Sequence, residues 1–317
     1  MPHTDSGKTI KSIINGVAII LFFFAISATM PILGFFCSMM APLPVLFYRA
    51  KLDRTTGVII PILALMIMGA FAGGLTLDLL FYAELLLLGY VLSELMGMNL
   101  SIEKTVGYAC GITGLAGLAG LMAFGHIYHT DILALVSDYV SKNLELTLAF
   151  YQNMGLPEES VHMISSSKEA IGYVLVRIIP ALIVVSALIV SWANLLLARP
   201  LLTSQGINVP DFGPLSLWKA PEGLVWAVIG CGILILFPGK TVTLVALNGL
   251  IILMSIYFLE GIAIVSFYFE KKRFPRILRT LCYCVIAFEQ VALLLVIGLG
   301  FFDIWLNFRK IQFTKNN

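Results

Sequence analysis

Long apolar runs separated by short polar stretches make up most of this chain. Each run is close to the roughly 20 residues that a membrane-spanning helix needs. The apolar residues are continuous rather than alternating, which argues against a barrel and leaves helices as the structure that pairs every backbone amide in lipid. The pattern predicts an all-α, polytopic transmembrane helical bundle of about eight or nine segments. The segments cover residues 13–48, which count as two, 57–75, 79–98, 106–124, 171–197, 223–237, 242–269 and 277–302.

The first apolar stretch, residues 13–48, is about twice as long as one spanning helix needs. Because Pro31 interrupts it, we expect two short helices folded at that residue. Arg49, Lys51 and Arg54 follow, and the positive-inside rule assigns them to the cytoplasm. An odd number of segments would place the basic C-terminal tail outside, against the same rule. Either an early segment is re-entrant, or the tail tolerates the outer side.

Glycine recurs at every third position in one segment, at Gly111, Gly114, Gly117 and Gly120. Small residues in a membrane helix exist to admit a neighbouring helix. The spacing therefore predicts a closely packed helix at residues 106–124.

The one long polar region, residues 126–168, lies outside the membrane by the count of segments. Apolar residues within 131–154 recur at helical spacing, which predicts an amphipathic helix lying on the surface or acting as a cap.

The composition is that of a protein embedded in lipid. Hydrophobic residues make up 59% and charged residues 12% of the chain, and the mean hydropathy is +0.97. The net charge of +2 is small and dispersed, so we predict no nucleic-acid partner. The expected environment is the bilayer of a bacterial inner membrane, crossed several times.

The sequence carries little that resembles catalytic or metal chemistry. The five cysteines all lie in apolar runs, and His126 and His129, three residues apart near Asp131 and His162, are only a weak metal pattern. A nucleophile elbow, a P-loop and a zinc-protease helix are all missing from the sequence. We predict that the chain is not an enzyme and uses neither a cofactor nor a metal.

Composition shifts divide the chain into regions. We expect a cytoplasmic N-terminal tail, a helical core with an outer insertion, a stiff cytoplasmic loop containing prolines, C-terminal membrane helices and a polar tail. These regions are residues 1–12, 13–199 with the insertion at 126–168, 200–222, 223–302 and 303–317, respectively.

Charged residues inside apolar segments are the candidates for a substrate or ion pathway, because a charge in lipid is costly. Glu84 and Arg177 lie at comparable depths from the outer face, which fits either a polar cavity or a structural ion pair. Glu289 lies near the middle of its segment, where a proton or cation site and a neutral structural glutamate are both open interpretations. Glu260 lies beside Gly261 and is interpreted as a structural residue at a close helix contact.

Four stretches together resemble the YybS-like family of uncharacterised bacterial integral membrane proteins, known as domain of unknown function 2232. They are PLPVLFYRAKLDRTTG at 42–57, FGPLSLWKAPEGLVW at 212–226, LEGIAIVSFYFEKKRFPRILR at 259–279 and LGFFDIWLNFRK at 299–310. That family is distantly similar to the substrate-binding components of energy-coupling-factor vitamin transporters. The resemblance to those components covers residues 13–197. It implies a pocket opening outward and a coupling ATPase as partner.

Two functions follow as expectations. The first is a transporter-like protein that binds a small molecule, because broken membrane helices commonly build ligand sites. The second is a scaffold or regulator that docks partners through its cytoplasmic loops. Its candidate docking residues are Trp218, Lys271, Arg273 and Arg276.

Overall fold

A computed structural model describes residues 6–154, 162 and 164–310. In these residues the regular structure is helical, apart from one 3-10 turn at Leu215–Leu217. The helices are α1 (Ser6–Thr29), α2 (Pro31–Met40), α3 (Pro42–Lys51), α4 (Arg54–Ala72), α5 (Leu77–Met96), α6 (Ile102–Ile127), α7 (Ile132–Asn153), α8 (Lys168–Ser204), α9 (Leu224–Ile235), α10 (Lys240–Lys271), α11 (Arg276–Phe288) and α12 (Gln290–Leu306).

The predicted all-α, polytopic class is confirmed. Within the described residues, seven helical stretches are long and apolar enough to cross a membrane, and α11 with α12 would make an eighth. The seven are α1, Leu33–Lys51, α4, α5, α6, α8 and α10. With 12 residues, α9 is about 18 Å long, which falls short of a hydrocarbon core of about 30 Å.

The chain divides into two compact units, which are described separately. Of the described residues, those within 1–176 and 186–211 make up the N-terminal unit, and those within 177–185 and 212–317 make up the C-terminal unit. Helix α8 contributes residues to both.

The first helices of the N-terminal unit are broken at prolines. Helix α1 ends at Thr29, Met30 is extended, and Pro31 begins α2. The predicted fold at Pro31 is confirmed. A proline fits the first turn of a helix because the N–H that it lacks would have no partner within the helix there. A Cβ atom on Gly34 would lie 2.6 Å from the Ser27 Cα, so the two helices of the hairpin touch through their backbones.

Helix α5 is the most buried helix of the N-terminal unit and packs against α3, α4 and α6. Gly89 allows α5 to approach the Pro42 carbonyl, because a Cβ atom there would overlap it. The C-terminal half of α8 joins this unit through the buried Asn194, whose Nδ2 donates to the Met39 carbonyl at 2.9 Å.

The predicted amphipathic helix is α7, and most of its surface is exposed. The carboxylate of Asp131 accepts from the Leu133 and Ala134 amides at 3.1 and 3.3 Å, which caps the start of α7. Tyr139 donates its hydroxyl hydrogen to Asp78 at 2.9 Å. Asp131 is thus used as a cap, and in the described residues no group of three or more His, Cys, Asp or Glu side chains could hold a metal.

The C-terminal unit packs α9 and α12 against α10. Its core holds Ala220, Val228, Leu253 and Tyr257, with Phe301 edge-on to the Tyr257 ring. Close packing of α10 and α12 depends on Gly261 and Gly300, where a Cβ atom would overlap the facing helix.

Residues 277–302, which were predicted to form one span, form two helices in the structure. Helices α11 and α12 meet at a bend of 100°, and Glu289 is extended and exposed at the break. A break at this position leaves the carboxylate at the start of α12, where the helix dipole favours an anion, instead of inside an apolar helix. Helix α12 continues to Leu306, so the predicted boundary of the polar tail at residue 303 falls within a helix.

The bend also bears on which side of the membrane the C-terminal end of the described chain occupies. The Tyr268 hydroxyl donates to the Phe308 carbonyl at 2.8 Å, so the end of α12 lies beside the end of α10 that carries Lys271. The chain as far as Lys310 and the loop that follows Lys271 therefore lie at the same end of α10, as the positive-inside rule requires of two basic segments. The last segment is interrupted at Glu289.

Candidate functional site

Three stretches of the C-terminal unit meet at the basic end of α10: the loop at residues 212–222, α10 itself and the end of α12. A Cβ atom on Gly261 would overlap the Val296 carbonyl, and one on Gly300 would overlap the Tyr257 carbonyl. The two helix backbones therefore touch. This contact fixes the depth at which the polar residues of α12 face those of α10.

Four charged side chains converge there, and we call Lys219, Glu260, Asp303 and Arg309 the charge cluster. Arg309 Nη2 lies 3.3 Å from Glu260 Oε1 and 3.0 Å from Asp303 Oδ2. Lys219 Nζ lies 3.3 Å from the same Asp303 oxygen. The side chains of Asp303 and Arg309 are fully buried, and that of Lys219 is 18% exposed. Two cations balance two anions, which is the condition for keeping charges away from water.

The cluster also holds backbone. Arg309 Nη1 donates to the carbonyls of Ser216 and Trp218 at 3.1 and 2.7 Å. The amide of Ala220 donates to Glu260 at 3.3 Å, and the amide of Phe308 donates to Asp303 at 2.7 Å. The loop and the tail are therefore both fastened to membrane helices.

A turn at Asn307 brings Arg309 into place. Asn307 has φ 40° and ψ 59°, and its amide donates to the Asp303 carbonyl to close α12. Asparagine is among the few residues that adopt this left-handed conformation readily. The chain reverses there, so Arg309 reaches back to α10 instead of extending away from it.

The structural interpretation of Glu260 agrees with this arrangement, but its three partners were not predicted. Asp303 and Arg309 were assigned to a polar tail, and Lys219 to a cytoplasmic loop. The only indication in the sequence was that Lys219, Glu260, Asp303 and Arg309 all fall within the stretches that carry the family resemblance.

Glu84 lies in the N-terminal unit, on α5, where it is half-buried. Its carboxylate faces α6: a Cβ atom on Gly117 would lie 2.9 Å from the Glu84 Cδ. Among the described residues, no side-chain hydrogen bond or ion pair of Glu84 is found.

Close packing of the α6 glycines is confirmed only in part. Gly117 and Gly120 face Glu84 and Leu80 of α5. At Gly111 and Gly114 a Cβ atom would meet no described atom within 4 Å. The glycine face of α6 thus runs from a helix contact into open space, with Glu84 beside the contact.

The other two pathway candidates lie in the C-terminal unit. Arg177 is half-buried, and its carbonyl accepts from Asn248 Nδ2 at 3.0 Å. Glu289 lies exposed at the break before α12 and not at the middle of a span. Because Arg177 and Glu84 belong to different units, their pairing stays a prediction.

The docking candidates divide into two kinds. Trp218 is half-buried and packs against the core around Tyr257, so its ring is part of the fold. Lys271, Arg273 and Arg276 are exposed at the corner that joins α10 to α11, which we call the basic corner.

A second polar group, which was not predicted from the sequence, lies in the N-terminal unit. Arg49 Nε donates to Glu94 Oε1 at 2.6 Å, and Arg54 Nη2 lies 2.8 Å from Glu94 Oε2. Arg49 and Glu94 are largely buried, whereas the Arg54 side chain is 71% exposed. From the sequence, Arg49 and Arg54 were used only to assign the cytoplasmic side. Glu94 lies near the end of a segment that was predicted to end on that side, but a contact with the arginines was not predicted.

These features define a multi-pass α-helical membrane protein with a buried charge cluster at one end of its C-terminal unit. Residues 18–304 match the family described as "Predicted membrane protein (DUF2232)", and the chain belongs to that family. It is 31% identical over 100 residues to "Uncharacterized protein YybS" of Bacillus subtilis (strain 168). That match covers 31% of this chain and 32% of the relative, so it spans about a third of the relative's length. No solved structure matches the chain.

Proposed function

We propose that this protein is transporter-like and that its N-terminal unit binds a small molecule beside Glu84. The observation that carries the proposal is a carboxylate within a membrane-spanning helix that has no polar partner among the described residues. Ionisable groups inside a membrane are costly and usually mark a ligand or ion pathway. A ligand with a cationic or hydrogen-bond-donating group would supply the partner that Glu84 lacks.

Two further features support small-molecule binding in this unit. The glycine face of α6 leaves open space beside Glu84, and α1 to α3 are interrupted at Met30 and Ala41. Discontinuous membrane helices expose backbone groups that commonly contact ligands. The resemblance to energy-coupling-factor components points the same way. It would imply a coupling ATPase partner, and the bacterial relative favours the inner membrane as the location.

The experiment is a thermal-shift screen of the full chain in detergent against B vitamins, polyamines and amino acids, followed by uptake assays for each hit. A hit should stabilise the protein, and Glu84→Gln should abolish the shift. Glu222→Gln, which changes an exposed loop carboxylate, should leave it unchanged. If no compound shifts the melting temperature, or if Glu84→Gln responds like the unchanged protein, binding beside Glu84 is wrong.

The second candidate function, a scaffold or regulator, is favoured by the exposed basic corner at Lys271, Arg273 and Arg276. An acidic protein partner would find three cations there on an ordered turn. Crosslinking from a cysteine at position 272 in living cells would reveal such a partner. Charge reversal at Arg273 and Arg276 should then remove the crosslink, whereas Trp218→Phe should not.

A further inference from the structure

The N-terminal unit contains a cavity at its basic end, separate from Glu84. Its volume is about 200 Å³, equal to about seven water molecules. It lies where the ends of α3, α5 and α8 meet the start of α4. We call it the arginine cavity, and the residues lining it include Arg49, Arg54, Ser93, Glu94, Ile207 and Asn208.

The charges that line the cavity sum to one positive unit, because Arg49 and Arg54 share the single carboxylate of Glu94. Glu94 engages Arg49 through Nε and Nη2 and Arg54 through Nη2. Each guanidinium has five N–H donors. Among the described residues, the Nη1 groups of both arginines have no acceptor.

Ser93 gives an independent indication of a missing ligand. Its side chain is 6% exposed, and its Oγ atom has no hydrogen-bond partner among the described residues. A buried hydroxyl without a partner is costly and calls for an explanation. Ser93 lines the cavity, so a ligand oxygen that reached the Oγ atom would satisfy the hydroxyl.

The start of α4 adds to the positive potential. Asp53 occupies the cap position but makes no side-chain cap hydrogen bond, so its carboxylate does not cover the first amides of α4. Uncapped amides and the helix dipole favour an anion at this end of a helix. The carboxylates of Asp53, which is exposed, and of Glu94, which is largely buried, oppose an anion, but the two guanidiniums and the amides outnumber them.

We propose that the arginine cavity binds a phosphate group, with Arg54 as its principal cation and the Ser93 hydroxyl as a donor. Guanidinium forks, a hydroxyl and helix amides together suit the several oxygens of a phosphate. The volume admits a phosphate with a small substituent. The same chemistry is present in soluble phosphates and in the headgroups of anionic phospholipids. This proposal does not rest on ligand binding beside Glu84.

The test uses the full chain, purified in a non-ionic detergent and freed of lipid. Inorganic phosphate is titrated against chloride at equal ionic strength, with phosphorus NMR line width and melting temperature as readouts. In a parallel arm, nanodiscs of phosphatidylcholine with or without phosphatidylglycerol are compared by counting retained lipid with native mass spectrometry. Phosphate binding alone identifies a soluble ligand, and phosphatidylglycerol retention alone identifies a headgroup; either supports the proposal.

Three variants sharpen the result. Arg54→Gln should weaken binding roughly tenfold, because a charge-assisted contact is lost, and Ser93→Ala about threefold. Lys51 is an exposed cation that does not line the cavity, so Lys51→Gln should bind like the unchanged protein. Absence of both phosphate binding and phosphatidylglycerol retention would overturn the proposal, and so would equal weakening by Lys51→Gln and Arg54→Gln.

Discussion

At the scale of single residues, the buried arginine at the end of the chain has the largest structural consequence. Arg309 contacts two carboxylates and two carbonyls, and its side chain is fully buried. Buried ion pairs add little stability over well-packed apolar residues, but removing one partner leaves an uncompensated charge. The cluster is therefore sensitive to loss of any one member.

Arg309→Ala should destabilise the protein by about 3 to 5 kcal/mol, because Glu260 and Asp303 would stay buried without their shared cation. Thermal melting in detergent measures this loss. The neighbouring Lys310 is exposed, and Lys310→Ala should melt like the unchanged protein. Adding Glu260→Gln to Arg309→Met should recover stability relative to Arg309→Met alone. Equal melting temperatures for Arg309→Ala and Lys310→Ala would show that the cluster contributes little.

Tyr139 provides a prediction outside the membrane spans. Partial burial, and secondarily the hydrogen bond to Asp78, raises the pKa of Tyr139 to about 12 from an ordinary value of about 10. The raised pKa favours the neutral phenol in the folded state, so this stabilisation is complete below about pH 10 and is lost as the pH rises through 12. The difference in ultraviolet absorbance between the unchanged protein and Tyr139→Phe should titrate near pH 12. A midpoint near pH 10 would contradict the prediction.

The sequence indicates which residues are costly in lipid but not which partners balance them. Glu260 was recognised because a carboxylate stands out in an apolar run. Its partner Arg309 is 49 residues away. Arg309 reaches Glu260 because the chain reverses at Asn307, and no local sequence pattern predicts that reversal. The cavity at Arg49 and Glu94 was missed for the same reason, since it requires the ends of four helices to meet.

At the scale of helices, backbone contact between α10 and α12 sets the geometry of the C-terminal unit. Gly261 and Gly300 meet the facing backbone directly, whereas Gly298 on the same helix as Gly300 has no atom within 4 Å of a Cβ atom. Small residues of this kind allow van der Waals packing, which drives helix association in lipid. Only the contacting glycines are therefore expected to resist substitution.

Gly300→Ala should destabilise the protein, because its Cβ atom would push α12 away from the Tyr257 carbonyl and misalign Asp303 with Arg309. Overpacking of this kind typically costs about 1 to 3 kcal/mol. Gly298→Ala is the matched control and should be neutral or stabilising by up to about 1 kcal/mol, since alanine favours helix more than glycine. Melting temperatures of the two variants would decide, and equal losses would contradict the proposed contact.

Helix existence was easier to predict than helix continuity. Apolar runs and the proline at position 31 indicated nearly every element, because the polar backbone groups of an apolar run must be paired within a helix when lipid surrounds it. The break at Glu289 was missed because the run at 277–302 satisfies the length of a span. Length and apolarity cannot distinguish one crossing helix from two helices that meet at 100°.

At the scale of the whole molecule, the side on which the C-terminal tail lies is the clearest consequence of the fold. Phe308 is held by Tyr268, near the basic end of α10. The positive-inside rule assigns that end to the cytoplasm. Length and hydropathy alone had left the side of the tail undecided.

Lys272→Cys and Lys310→Cys are made one at a time. Each cysteine should react with a membrane-impermeant maleimide only after the cytoplasmic face is opened. A cysteine at position 240, at the opposite end of α10, should react in intact cells. The five native cysteines are replaced by alanine beforehand. Labelling at position 310 in intact cells would contradict the placement of Lys310 on the same side as the basic corner.

Glu260 is also synthesised before its partner Arg309, which lies 49 residues further along the chain. A ribosome adds about 5 to 20 residues per second, so roughly 2 to 10 seconds of translation separate the acid from its base. During that interval the Glu260 carboxylate lacks the guanidinium that contacts it in the folded protein. Assembly of the C-terminal unit is thereby timed by synthesis itself, and a stalled ribosome would leave behind an intermediate that quality-control proteases could recognise.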